Sequence, residues 1–176
     1  MEINAYAPDF ELPSTTGDVV HLGRCLETYS AIVVVFMCNH CPYVKAYLER
    51  LIAVQNDYQA KGVTLIGVNA NDEQKYPEDS FDKMKTYAQG WGLNFPYLRD
   101  RTQDVAHAFG AICTPEPFVL DRQGILRYRG QIDDNYRDAS AVTRQDLREA
   151  IDLVLKGKPY TKEMEPALGC SVKWIS

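Results

Sequence analysis

The stretch VVVFMCNHCPYVKAYLERL, residues 33 to 51, joins an apolar run to two cysteines that bracket Asn39 and His40. The run begins at residue 31 and is rich in β-branched residues, which is typical of a strand buried on both faces of a parallel sheet. After Pro42, apolar side chains recur at spacings of three and four, which predicts a helix with the proline just inside its start. We therefore expect Cys38 and Cys41 at a strand-to-helix junction.

The flanking sequence predicts an α/β fold. Two alternating stretches around STTG (14–17) predict an N-terminal β-hairpin, and VTLIGVN (63–69) predicts a second buried strand parallel to the first. Further helices are expected after caps at Ser80 and Thr143, and two extended runs joined at DRQG (121–124) predict a second hairpin. The resulting expectation is a mixed central sheet flanked by helices on both faces, in a single domain spanning residues 1–176.

The composition and charge of the chain argue against several classes of protein. The net charge is −5 and the basic residues are scattered, so we expect no nucleic-acid partner. The longest apolar run, residues 31 to 37, is too short to span a bilayer, and the N-terminus lacks the pattern of a secretory signal, so we expect no membrane association and a cytoplasmic location. Five unevenly spaced cysteines do not match a secreted disulfide framework, and such cysteines are more often catalytic or metal-binding.

The position of the C-x-x-C pair favours thiol chemistry. A sulfur beside the free N–H groups of a helix start is stabilised as an anion, so we expect Cys38 to be the more acidic thiol. A protonated His40 between the thiols would act in the same direction. We therefore assign Asn39, His40 and Pro42 to the motif that tunes the thiol pKa values, and a lower pKa makes the pair a stronger oxidant.

Other uses of the two cysteines fit less well. A structural zinc site requires four ligands, but the other cysteines stand alone and His21 and His107 are not paired. Haem attachment requires a histidine after the second cysteine, where this chain has Pro42. We expect no cofactor and no metal, and keep a zinc- or partner-binding module without catalysis as an alternative.

The chain resembles the thioredoxin-like superfamily, and within it the redoxin branch of AhpC/TSA and TlpA-like proteins. The resemblance lies in the opening hairpin, in AIVVVFMCNHC (31–41) and in FGAICTPEPFVLDRQGILRYRG (109–130). It implies a thioredoxin-like fold in which Pro115 is a cis-proline and Thr114 aligns the substrate backbone beside the dithiol. Pro117 is the competing cis position. Cys113 could be a third redox thiol, with a buried structural cysteine as the simpler interpretation.

Several positions depart from the family pattern. Met37 stands where a tryptophan often precedes the first cysteine, and Ile32 and Val44 stand where a carboxylate usually serves the second. The proton acceptor for Cys41 is therefore not identified. The proline and threonine that precede a peroxidatic cysteine are also missing from the residues before Cys38.

The sequence thus predicts a thiol-disulfide oxidoreductase in which Cys38 attacks a substrate disulfide and Cys41 resolves the mixed disulfide. Expected partners are a protein or small-molecule disulfide and a thiol reductant such as a thioredoxin or glutathione system. The alternative enzyme is a peroxiredoxin-like peroxide reductase using Cys38.

Overall fold

The centre of the molecule is a five-stranded sheet, seen in a computed structural model that describes residues 1–176. Its strand order is β5-β4-β3-β7-β8, with β3, β4 and β5 parallel and with β7 antiparallel to both β3 and β8. These strands are β3 (Ala31–Phe36), β4 (Val63–Asn69), β5 (Tyr97–Arg99), β7 (Glu116–Asp121) and β8 (Leu126–Arg129).

Two small sheets and five helices complete the fold. The N-terminal hairpin pairs β1 (Glu11–Pro13) with β2 (Val19–His21), and a second pair joins β6 (Cys113–Thr114) to β9 (Cys170–Ser171). The helices are α1 (Leu22–Thr28), α2 (Pro42–Tyr58), α3 (Phe81–Trp91), α4 (Asp104–Phe109) and α5 (Asp146–Leu155). None of these helices is both long enough and apolar enough to cross a bilayer.

The side chains of β3 alternate between two apolar cores, because successive residues of a strand point to opposite faces. Ala31, Val33 and Val35 pack with residues of α2, α3 and α5, whereas Ile32 and Val34 pack with residues of α1 and α4. All six residues of β3 are buried, which accounts for its continuous apolar sequence.

The structure confirms the mixed sheet, the helices on both faces and the N-terminal hairpin. The predicted cap of α3 is also confirmed, since the Ser80 hydroxyl accepts from the backbone N–H of Lys83 at 3.2 Å. The predicted Thr143 cap of α5 is wrong. That helix begins at Asp146, and Thr143 instead bonds the Asp134 carboxylate.

Neither α1 nor β9 is among the elements predicted from the sequence. Helix α1 is a short element with one buried residue, Leu22, so it carries little periodic signal. Strand β9 consists of two residues in the C-terminal segment, and its partner β6 is equally short. Such short pairings depend on tertiary neighbours rather than on local pattern.

Candidate active site

The two cysteines occupy the segment between the end of β3 and the start of α2. Pro42 is the first helical residue, where its missing N–H costs little, and Cys41 is the N-cap. Cys38 lies three residues before the cap, so the sulfur at the helix start belongs to Cys41. Both residues are buried, with 2% and 3% of their surface exposed.

The loop that contains Pro115 lies against both sulfurs. The Thr114–Pro115 peptide bond is cis, which confirms the prediction for this proline, and Pro117 lies within β7. The Thr114 hydroxyl is 3.5 Å from Cys38 Sγ, and the Thr114 carbonyl oxygen is 3.5 Å from Cys41 Sγ. Thr114 therefore contacts both thiols: its side-chain hydroxyl lies against Cys38, and its backbone carbonyl oxygen lies against Cys41.

The surroundings of the two sulfurs favour the thiolate at Cys41. The hydrogen bond from the Cys38 thiol lowers the pKa of Cys41 to about 4 against the opposing effect of burial, and the Cys170 thiol and the Val44 N–H add to the lowering. The same thiol–thiol hydrogen bond, burial and the Asp79 charge raise the pKa of Cys38. The Cys41 thiol, however, donates to the carbonyl oxygen of Thr114, which only a protonated sulfur can do. The expectation that Cys38 is the more acidic thiol therefore stays a prediction.

Asp79 is a site residue that the sequence interpretation missed. Its fully buried carboxylate accepts the backbone N–H of Asn39 at 2.7 Å and the amide of Asn71 at 3.0 Å. Asp79 follows Glu78 in a polar loop, and no spacing in the sequence distinguishes one from the other. Only the folded chain turns this carboxylate toward the segment that holds the cysteines.

Asn39 and His40 contact Asp79 and its neighbours. The Asn39 side chain donates to the carbonyl oxygen of Glu78 at 2.7 Å and accepts from the Tyr97 hydroxyl at 2.8 Å. His40 is partly exposed, and its Nδ1 lies 3.3 Å from the Asp79 carboxylate. Asn39 thus fixes the backbone between the cysteines. The His40 ring faces the Asp79 carboxylate, so its predicted effect on a thiolate stays a prediction.

Cys113 precedes Thr114, but its sulfur points toward the C-terminal segment. It is 8% exposed, and its Sγ lies 3.6 Å from the carbonyl oxygen of Ala167 in the C-terminal segment. Burial raises the pKa of Cys113 to about 12, so the thiol is a weak nucleophile near neutral pH. Its use as a third redox thiol stays a prediction. No group of three or more His, Cys, Asp or Glu side chains is arranged to hold a metal ion.

Comparison with known proteins gives matches in family, sequence and structure. The model of the AhpC/TSA family matches residues 3–129. The thiol-disulfide oxidoreductase ResA of Geobacillus thermodenitrificans is 30% identical over 90 residues, which are 51% of this chain and 46% of ResA. The chain thus spans about half the length of that curated relative.

Two solved structures superpose closely. An uncharacterized conserved protein from Geobacillus kaustophilus is 41% identical, with a TM-score of 0.92 over 99% of this chain and 93% of that one. A putative thiol:disulfide interchange protein DsbE from Chlorobium tepidum is 22% identical, with a TM-score of 0.70 over 88% of this chain and 99% of that one. The second likeness identifies the fold alone, which is thioredoxin-like, as the resemblance implied.

Proposed function

The chain belongs to the AhpC/TSA family, and we propose that it is a thiol-disulfide oxidoreductase that cycles Cys38 and Cys41 between dithiol and disulfide. The observation that carries this proposal is the contact of both sulfurs with Thr114, at 3.5 Å each. Two thiols that share one hydrogen-bonding partner are positioned for exchange.

The contacts of Thr114 support a particular order of steps. Its hydroxyl can donate to the Cys38 sulfur, whereas its carbonyl oxygen accepts from the Cys41 thiol. The thiolate is the nucleophile in disulfide exchange, so Cys38 attacks the substrate disulfide, and Cys41 resolves the mixed disulfide by attacking the Cys38 sulfur.

Cys38 must lose its proton before it can attack. The hydrogen bond with Cys41, burial and the Asp79 charge raise the pKa of Cys38, and the Thr114 hydroxyl, 3.5 Å from the Cys38 sulfur, acts against them by lowering it. The sequence left the proton acceptor for Cys41 unassigned, and we assign none.

Substrate and reductant are proposed by chemical class. The substrate is a protein or small-molecule disulfide, and a thiol such as reduced glutathione or a thioredoxin returns the pair to the dithiol. The related thiol-disulfide oxidoreductase ResA and thiol:disulfide interchange protein DsbE support the same class of reaction.

Insulin reduction with dithiothreitol as electron donor tests this proposal. We expect Cys38→Ser and Cys41→Ser to abolish turnover and Cys25→Ser to retain it, because Cys25 lies in α1, away from the site. In the Cys41→Ser variant, Cys38 should retain the substrate as a stable mixed disulfide, whereas Cys38→Ser should trap none.

A parallel assay with hydrogen peroxide separates the peroxide-reductase alternative. If peroxide consumption survives loss of Cys41 at full initial rate while insulin reduction is undetectable in the wild type, the oxidoreductase proposal is wrong. Trapping of substrate on Cys41 in the Cys38→Ser variant alone would reverse the order of attack.

A further inference from the structure

The C-terminal strand β9 lies along the loop that contacts the dithiol. It pairs antiparallel with β6, and the register places Cys170 opposite Thr114 and Ser171 opposite Cys113. Thr114 is also the residue whose hydroxyl and carbonyl oxygen each lie 3.5 Å from an active-site sulfur. The chain thus places its own strand against the one residue that contacts both thiols.

A single atom of Thr114 faces both Cys41 and the start of this strand. The Thr114 carbonyl oxygen lies 3.5 Å from Cys41 Sγ, and a Cβ atom at Gly169 would lie 2.1 Å from the same oxygen. Gly169 does not have a positive φ, so an alanine there is excluded by this contact and not by backbone strain. The close approach of β9 to the dithiol loop therefore depends on a glycine before Cys170.

Beyond β9 the chain is fixed to the rest of the fold. Val172 is buried, and its N–H donates to the carbonyl oxygen of Ile112 at 3.0 Å. The N–H of Lys173 donates to the Asn71 side chain at 2.9 Å, and its carbonyl oxygen accepts from the N–H of Asp72 at 2.8 Å. These contacts make β9 a fixed wall of the site and not a loose tail.

This wall occupies the edge that an extended substrate would use. A peptide strand that binds a sheet edge gains its affinity from main-chain hydrogen bonds, and an edge that is already paired cannot supply them. A strand running beside Thr114 would pass the sulfurs of Cys38 and Cys41, but β9 already runs there. A small disulfide needs no main-chain pairing to react, so the same wall does not exclude it.

We propose that β9, with Gly169 at its start, is the specificity-determining element of the site and selects small-molecule disulfides over disulfides carried by protein strands. This inference rests on the proposed function and narrows its substrate class. Its observations are the register of β9 on β6, the contact between Gly169 and Thr114, and the hydrogen bonds that fix the following residues.

The selected reaction balances without a further reagent. The Cys38 thiolate attacks one sulfur of the small disulfide, so a bond from Cys38 to that sulfur forms, the substrate S–S bond breaks, and the first substrate thiol leaves with the proton that Cys38 gave up. Cys41 then loses its proton and attacks the Cys38 sulfur. The Cys38–Cys41 bond forms, and the second substrate thiol leaves with that proton. The two cysteines are oxidised, and the small disulfide is reduced to two thiols.

Gly169→Ala tests the proposal, because it adds one carbon atom at the contact with Thr114. Gly90→Ala in α3 is the matched control, since a Cβ there would meet no atom within 4 Å. Each pre-reduced, full-length protein is mixed with insulin or with oxidised glutathione. Acid quenching, alkylation and mass spectrometry then give the rate constant of Cys38–Cys41 disulfide formation. We expect Gly169→Ala to raise the ratio of the insulin to the glutathione rate constant about tenfold, the factor for a gained pair of main-chain hydrogen bonds, and Gly90→Ala to keep the wild-type ratio.

Two further measurements keep the outcome decisive. In the wild type, oxidised glutathione should react about tenfold faster per disulfide than insulin, by the same reasoning. Hydrogen exchange at the Val172 N–H reports release of β9, and it should accelerate in Gly169→Ala and not in Gly90→Ala.

Three results would overturn the proposal. They are insulin reacting as fast as glutathione in the wild type, an unchanged ratio in Gly169→Ala, and unchanged exchange in that variant, since the structure leaves no room for an alanine beside a paired β9. If the wild type is still oxidised by either disulfide, the oxidoreductase function stands and only the role of β9 fails. If neither disulfide oxidises the wild type, the proposed function itself fails.

Discussion

Asp79→Asn is the substitution whose effect the structure defines most fully. The buried carboxylate accepts hydrogen bonds from the Asn39 N–H at 2.7 Å and from the Asn71 amide at 3.0 Å. An asparagine of nearly the same shape can still accept from Asn39 with its oxygen. Its NH₂ group then faces the NH₂ group of Asn71, and two donors cannot bond each other.

The energetic cost follows mainly from these two contacts, because His40, the third group near the carboxylate, is partly exposed to solvent. A hydrogen bond to a charged group contributes about 1.5–3 kcal/mol and a neutral one about 0.5–1.5 kcal/mol, so the bond to Asn39 weakens by ~1 kcal/mol and that to Asn71 is lost. Rotation of the Asn71 amide would restore a bond to residue 79 but break its 2.9 Å bond with the N–H of Lys173. Because a neutral amide is less costly to bury than a carboxylate, we expect a net loss of about 2 kcal/mol in the free energy of unfolding.

Urea unfolding of the reduced protein at pH 7 measures this loss. A slope of about 2 kcal/mol/M converts it to a decrease of ~1 M in the unfolding midpoint. Asp82→Asn is the matched control, because the Asp82 side chain is 96% exposed and its midpoint should not change. Removing the Asp79 charge should also lower the pKa of Cys38, so alkylation of Cys38 at pH 7 should accelerate. A midpoint for Asp79→Asn equal to that of the control would refute this reasoning.

Three further outcomes are expected. The thiolate absorbance near 240 nm should persist on acidification and disappear only as the pH falls through about 4, because the pKa of Cys41 is lowered to that value. Thr114→Val should raise the pKa of Cys38 by removing a hydroxyl that bonds its sulfur, and should slow insulin reduction about fivefold, as expected for ~1 kcal/mol. Arg50→Met should cost about 3–5 kcal/mol in urea unfolding, because it leaves the buried Asp133 carboxylate, 2.8 Å from Arg50, without its charged partner.

Each of these has a control and a contradicting result. If the absorbance near 240 nm still falls on acidification in the Cys41→Ser variant, the thiolate that titrates is not Cys41. Thr86→Val changes an exposed threonine of α3 and should leave turnover unchanged, and equal rates for both valine variants would contradict the role of the Thr114 hydroxyl. Arg148→Met breaks an ion pair with the exposed Asp57, so Arg50→Met must be clearly less stable than this control.

Much of the fold was predictable because its signals are local. The continuous apolar sequence of β3 indicated burial on both faces, and Ser80 before an apolar-periodic stretch indicated a helix start. Thr143 shows the limit of such signals, because a threonine can serve equally well as a cap or as a partner of a loop carboxylate. Its bond to Asp134 depends on where a distant loop lies.

The sequence by itself determined the chemistry available to this protein: a C-x-x-C pair after a buried strand and a proline to start the helix. The family resemblance added Pro115 as the cis-proline of the opposing loop. Only the tertiary structure decided what surrounds the pair. It placed the Asp79 carboxylate on the Asn39 N–H and Thr114 against both sulfurs, because electrostatic effects depend on distance in space and not on separation along the chain. Thr114 and Cys41 are 73 residues apart in the sequence, and the fold brings the Thr114 carbonyl oxygen within 3.5 Å of the Cys41 sulfur.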